Sequence, residues 1–277
     1  MKRTIVGVAL VAGVVQLTGT PAQAASKIDP VKVLQTQLAR GKAVNVRSTA
    51  KVAYTSSLVA TSTLEGTIGF GPGRAVASDV AQTVRYSKAL LRTLTKTRPK
   101  ETEALQQGPI RMISSEEASY VAGPVVDAAL PPDTSWVRYR SELPPSNLLL
   151  EVLEPATLKT LLAARTSAGG GVVKGSVKAS RLAKVSPAFA ALFSTPPRAG
   201  RDGSIAYTLW FSPDGLIERV SAKAVLPLYV STIRVESDTR FSDWGREATV
   251  LLPMEGDVID QKEVEADVPK QVPGIWN

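Results

Sequence analysis

"IAYTLWFSPDGLIERVSAKAVL", residues 205–226, decides the fold. Ile205, Tyr207, Leu209 and Phe211 alternate with Ala206, Thr208, Trp210 and Ser212. That is the period of a strand with one apolar face. Pro213-Asp214-Gly215 then interrupts the run. Proline presets φ and glycine supplies a positive φ, so the chain reverses. The return run, Leu216 to Leu226, puts Val220, Ala222, Ala224 and Leu226 on one side. Two one-sided strands joined by a tight turn read as an antiparallel hairpin.

The same pattern extends outward. Pro227 turns the chain again, and Tyr229, Ile233, Val235 and Phe241 line a further strand that stops at "TRFSDWG", 239–245. There Asp243 is expected to bond to nearby backbone N–H groups, and Trp244 to sit just past the strand end. Near the start, Asp29-Pro30 caps a helix carrying Val31, Leu34 and Leu38, ended by Gly41. Three long alternating runs follow: 44–54, 58–70 and 76–86, the last two joined by Gly71-Pro72-Gly73. Residues 88–103 are charged and Thr-rich and read as a loop. Shorter strands are expected at 110–113, 119–122, 136–140, 172–181 and 250–252. Leucines at 148–150, 153, 158, 161 and 162 suggest two helical pieces split at Pro155, and Ser186-Pro187 opens a short helix.

Long one-sided strands in a twisted sheet curl, and one-faced helices can fill the hollow. The expected fold is therefore α+β: a strongly curved antiparallel β half-barrel of about 10–11 strands with helices packed in its concave face. Residues 1–24 read as a signal peptide. Lys2 and Arg3 precede an apolar run from Ile5 to Leu17 and an Ala22-Gln23-Ala24 cleavage site. Residues 25–264 are expected to form the half-barrel domain and 265–277 a poorly ordered tail that buries little. The product is expected to be secreted or extracytoplasmic.

Cysteine and histidine are both absent, which removes thiol catalysis, thiolate metal sites, the Ser-His-Asp triad and most zinc sites. The 33 Lys and Arg against 25 Asp and Glu give +8; without Lys2 and Arg3 the balance is 31 against 25. An excess of that size favours anionic surfaces or serves solubility. The basic residues are scattered without interleaved aromatics, so nucleic acid is not implied.

Several motifs resemble the LppX/LprG family of actinobacterial envelope lipoproteins, relatives of the LolA-type carriers. They are "DPVKVL" at 29–34, "GTIGFGPG" at 66–73, "WVRY" at 136–139, "LWFSPDGLIERV" at 209–220 and "TRFSDWG" at 239–245. The resemblance implies an open half-barrel over helices, an apolar cavity, and binding of an acylated lipid or glycolipid. It departs from the family at "GTPAQAAS", 19–26, where the lipobox cysteine is missing. By analogy the protein is released, or held by charge, rather than anchored.

Small residues on an apolar face leave room, and Ala50, Ala60, Ser62, Gly66 and Ser78 all lie on the concave side. If a pocket exists, the strands are expected to line it with Leu64, Ile68, Val80, Val84, Met112, Leu209, Val220 and Ala222. Leu158, Leu161 and Leu162 would cover it from the helix. The competing reading is that 147–164 fills the room as ordinary core. Trp244 either plugs a corner of the core or lines the cavity mouth.

Catalytic and metal sites find no support. Gly169-Gly170-Gly171 lacks the Lys-Ser/Thr of a phosphate loop. Glu151 and Glu154 read as a solvated stripe, and Glu255, Asp257 and Asp260 as a solvated acidic stretch. No enzyme, cofactor or metal is implied. A monomeric carrier holding acyl chains is the first expectation, with an anionic envelope surface as a further contact. An envelope sensor or interaction module of the same fold without cargo, and a basic wall-associated protein, are the alternatives.

Overall fold

In the computed structural model, residues 28–193, 202–228, 231–264 and 268–273 are described. The leader and Tyr229 lie outside them. Six strands form a first meander: β1 (Lys42–Ala53), β2 (Val59–Gly71), β3 (Arg74–Tyr86), β4 (Ile110–Ser114), β5 (Ala118–Ala122) and β6 (Trp136–Arg140). Five form a second: β7 (Arg165–Gly169), β8 (Val172–Lys178), β9 (Ser204–Phe211), β10 (Ile217–Leu228) and β11 (Ser231–Glu247). A short β12 (Val258–Asp260) follows. β11 pairs with β1 and welds the meanders into one sheet, ordered β12-β6-β5-β4-β3-β2-β1-β11-β10-β9-β8-β7. Every pair is antiparallel except β12–β6. β7 and β12 remain at opposite ends, so the sheet is an open half-barrel.

The alternation seen in sequence is the alternation of burial. Along β11, Ile233, Val235, Ser237, Thr239 and Phe241 are buried while Arg234, Glu236 and Arg240 are exposed. The outer face carries cross-strand ion pairs such as Arg111–Asp79 at 2.8 Å and Arg219–Asp238 at 2.7 Å. Exposed pairs of this kind each contribute about 0–1 kcal/mol. The apolar inner face and what it packs against carry the stability. The Pro213-Asp214-Gly215 turn forms as expected, with Gly215 at φ +82°.

Among the described residues are seven α-helices, α1 (Pro30–Gln37), α2 (Lys88–Thr97), α3 (Pro99–Gln107), α4 (Pro124–Asp127), α5 (Pro155–Ala163), α6 (Ala179–Ala183) and α7 (Pro187–Leu192), and a 3-10 turn at Glu255–Asp257. Asp29 caps α1 by accepting the Val31 N–H at 3.0 Å. α2 and α3 replace the loop expected at 88–103. Ser87 caps α2, and Thr93, Thr95 and Thr97 bond back to the carbonyls of Ala89, Leu91 and Leu94. Those threonines, which argued for a loop, satisfy themselves on the helix.

Four further expectations change. Only the second of the two helical pieces at 147–164 forms, as α5. The strand expected to reach Arg181 ends at Lys178, and α6 takes over. The strand expected at 250–252 does not form, and Leu251 and Leu252 are exposed; β12 pairs with β6 instead. In the tail expected to bury little, Val268 and Val272 are buried.

The "TRFSDWG" stretch is a bulge rather than a strand end. Ala43 pairs with Arg246 and Asn45 with Ser242, so Asp243, Trp244 and Gly245 together oppose Val44. Asp243 at φ +54° and Gly245 at φ +74° absorb the extra length, and pairing resumes to Glu247. The Asp243 carboxylate accepts from the Asn45 side-chain amide at 2.7 Å and the Ser242 hydroxyl at 3.1 Å, not from backbone. The bulge turns Trp244 inward between Phe70 and Phe241, with ring centroids 6.0 and 5.7 Å away. Its indole N–H donates to the Ile217 carbonyl at 2.8 Å, tying β11 to the start of β10. Trp244→Ala is expected to cost about 3 kcal/mol. Trp244→Phe keeps the ring packing but orphans one carbonyl and is expected to cost about 1 kcal/mol. Chemical denaturation of the two variants checks both the size and the order.

Candidate functional site

The concave face is not uniformly apolar. At mid-height, β11, β1, β2 and β3 present Ser237 and Thr239, Ser48, Ser62, and Gln82, all buried. Buried hydroxyls need partners. Ser48 and Thr239 hydrogen-bond each other at 2.7 Å, and Gln82 donates to Ser62 at 2.9 Å. The remaining demand is met by a strap, residues 141–154, that crosses the hollow.

Asn147 is the strap's anchor. Its amide donates to Thr239 Oγ1 at 2.9 Å, and its carbonyl oxygen accepts from Ser237 Oγ at 2.8 Å. The same oxygen accepts the backbone N–H groups of Leu149 at 3.0 Å and Leu150 at 2.9 Å. Thr239 Oγ1 also donates to the Ser146 carbonyl at 2.9 Å. Near the strap's start, Ser114 and Ser119 donate to the Glu142 carbonyl at 2.9 and 2.8 Å. Pinned there and at Ser146 and Asn147, the strap places Leu148, Leu149, Leu150, Val152 and Leu153, all buried, in the hollow.

Glu151 belongs to this anchor, which corrects its reading as part of a solvated stripe. Part of the residue reaches the surface, but its carboxylate is enclosed. It accepts the Ser146 N–H at 2.6 Å, the Ser146 hydroxyl at 2.7 Å and the Leu153 N–H at 3.1 Å. Burial pushes its pKa up to about 7; the Ser146 bonds oppose the rise and neighbouring Glu154 adds to it. Glu154 is also engaged, accepting from Thr157 at 2.7 Å and the Ala188 N–H at 3.2 Å. Asp260, read as part of a solvated acidic stretch, is paired with Arg138, which lowers its pKa.

Between the strap and β1–β4 lies an amphipathic cavity of about 90 Å³. Its sheet wall is Ser48, Ala50, Ser62, Leu64, Gln82 and Met112. Its cover is Glu142, Pro144, Pro145 and Leu148 of the strap, Leu192 at the end of α7, and Val272 and Pro273. Partial burial at the rim raises the Glu142 pKa. The cavity is far below the several hundred Å³ expected for a lipid site, because the strap leucines and Leu158 and Leu161 of α5 fill most of the trough.

Of the twelve expected lining residues, Leu64 and Met112 border this space. Ile68, Val80, Val84, Leu158, Leu161, Leu209, Val220 and Ala222 are buried core. Leu162 is half-buried against that core, and Trp244 fills the corner described above. Among the small residues, Ala50 and Ser62 do leave the room they implied. Gly66 does not: a Cβ there would lie 2.1 Å from the Asp79 carbonyl oxygen, so its space belongs to β3. Asn147, Glu151, Glu142 and Gln82 were missed. The usable signal for the strap was Pro144-Pro145-Ser146-Asn147, a turn-forming run too close to Pro155 to allow a full helix between.

No protein-family profile and no curated protein sequence matches this chain. Solved structures that match it include two. One is a LolA superfamily protein from Nitrosomonas europaea, 5% identical over 79% of this chain and 94% of that one, with a TM-score of 0.25. The other is MucB in complex with MucA(peri), 10% identical over 78% and 94%, with a TM-score of 0.12.

Two outcomes follow from the anchor. Asn147→Leu leaves two hydroxyls and two backbone N–H groups without their partner and is expected to cost about 2–4 kcal/mol in denaturation experiments. Glu151 titrates higher in the folded than in the unfolded chain, so the folded state binds the extra proton between about pH 4.5 and 7. Stability is therefore expected to fall as pH rises through that window, by about 3 kcal/mol at most. Glu151→Gln should flatten the profile when melting is followed from pH 5 to pH 8.

Proposed function

We propose that this protein is an exported, non-enzymatic carrier that binds an amphiphile at the cavity between β1–β4 and the strap. In this reading the ligand's acyl chain packs against Leu64, Met112, Leu148 and Leu192, and its polar end meets Ser62 and Gln82. The observation that carries it is the cavity itself: apolar walls with a few converging polar groups, in the hollow of an open half-barrel. Each buried CH₂ adds about 0.8 kcal/mol, so affinity needs little polar chemistry. The space is smaller than the roughly 150 Å³ that takes one benzene, so a long chain enters only when part of the cover moves. The leader-like residues 1–24 and the LppX/LprG-like motifs favour an envelope role with an acylated lipid or glycolipid. The excess of basic residues suits an anionic surface.

The packed strap favours a second reading, a protein-interaction module of the same fold that carries no cargo. Titration with the apolar fluorophore N-phenyl-1-naphthylamine separates the two. The carrier reading expects saturable enhancement that Ala50→Leu, which fills the cavity, weakens about tenfold or more. No saturable binding would favour the interaction module.

A further inference from the structure

The charge in the cavity runs against the charge of the whole chain. The sequence carries 33 Lys and Arg against 25 Asp and Glu. Arg47, Arg111 and Arg219 are spent on the outer face of the sheet, each beside a carboxylate. Among the described residues that border the cavity none is basic, and the one ionisable side chain is Glu142. Glu142 is held through its backbone: its carbonyl accepts from Ser114 and Ser119, and its N–H donates to Ser119 Oγ at 2.8 Å. No hydrogen bond or ion pair among the described residues engages its carboxylate, and partial burial raises its pKa. The floor adds a further acceptor. Gln82, 9% exposed, donates its amide N–H to Ser62 Oγ, and its carbonyl oxygen has no bond among the described residues.

We propose that the site selects an amphiphile whose polar end is a cationic ammonium, and that Glu142 is the residue that selects it. The inference rests on the reading of the cavity as an amphiphile site. An ammonium carries donors only, and it meets a carboxylate and an amide oxygen that offer acceptors. A charged head that enters beside Leu64, Met112 and Leu148 gives up hydration and needs a counter-charge. Glu142 supplies that charge to a cation and repels a sulfate, phosphate or carboxylate head. Charges that are partly buried are screened far less than those on the surface, so one carboxylate at the rim of so small a space is enough to discriminate. The repulsion matters as much as the attraction, because the excess of Lys and Arg on the rest of the chain draws anionic amphiphiles.

The test displaces the uncharged probe N-phenyl-1-naphthylamine from the full chain with three amphiphiles of equal chain length: decylammonium, decyl sulfate and decyl glucoside, each below its micelle concentration. Decylammonium is expected to displace the probe at about tenfold lower concentration than decyl sulfate, although the net charge of the chain favours the sulfate. Glu142→Gln should bring the two ions within about twofold of each other. Melting shows whether that variant folds, and if it does not, the ranking by the unaltered protein decides alone. Equal displacement by the two ions, a lead for the sulfate or the glucoside, or a preference that survives Glu142→Gln overturns the assignment and leaves the amphiphile site standing. No saturable binding of the probe overturns the amphiphile site and the assignment with it.

Discussion

The structure depends on one buried junction, where Asn147 meets Ser237 and Thr239 on the inner face of β11. A curved sheet with hydroxyls at the middle of its apolar face cannot be covered by leucines alone. Each buried hydroxyl without a partner costs about 1–3 kcal/mol. A side-chain amide offers donors and an acceptor on one short stem. Asn147 uses both toward the sheet and then turns its oxygen to the Leu149 and Leu150 N–H groups. The polar demand of Ser237 and Thr239 and that of an irregular strap are met together, and the strap's direction is set. Leu148 to Leu150 then point into the hollow because their backbone is already fixed.

The rest of the molecule follows from that placement. The strap and α5 pack the trough on the side of the second meander, where Leu209, Val220 and Ala222 become ordinary core. Toward β1–β4 the wall residues are smaller, and Ala50 and Ser62 stop short of the strap. What remains is a compartment with a neutral polar floor, apolar sides and Glu142 at its rim. At another corner the bulge at Asp243 and Gly245 swings Trp244 inward, where Phe70, Phe241 and the Ile217 carbonyl hold it. The half-barrel is therefore packed at that corner and along the strap, and under-filled between the strap and β1–β4.

Much of the sheet was legible because burial and alternation coincide: Ile205, Tyr207 and Leu209 face inward as their spacing requires. The hairpin at Pro213–Gly215 was legible for the same local reason. The helices at 88–107 were hidden because threonine favours loops in isolation, and only the folded helix shows the carbonyls that satisfy it. The strap was hidden because a leucine run resembles a helix until its backbone donors are followed to Asn147. For the site, residue size was the readable quantity; of the five small residues it named, Ala50 and Ser62 border the cavity and Gly66 does not. Which larger side chains would close over the remaining wall depends on contacts between residues some 90 positions apart, as for Asn147 with Ser237 and Thr239, and no local pattern carries that information.

Native mass spectrometry of the protein, recovered from its own cells without detergent, tests the central claim most directly. A population carrying a discrete mass that is released as an acylated amphiphile on denaturation is the expected result. A preparation that remains uniformly at the mass of the bare chain, even after incubation with envelope lipid extract, would contradict it.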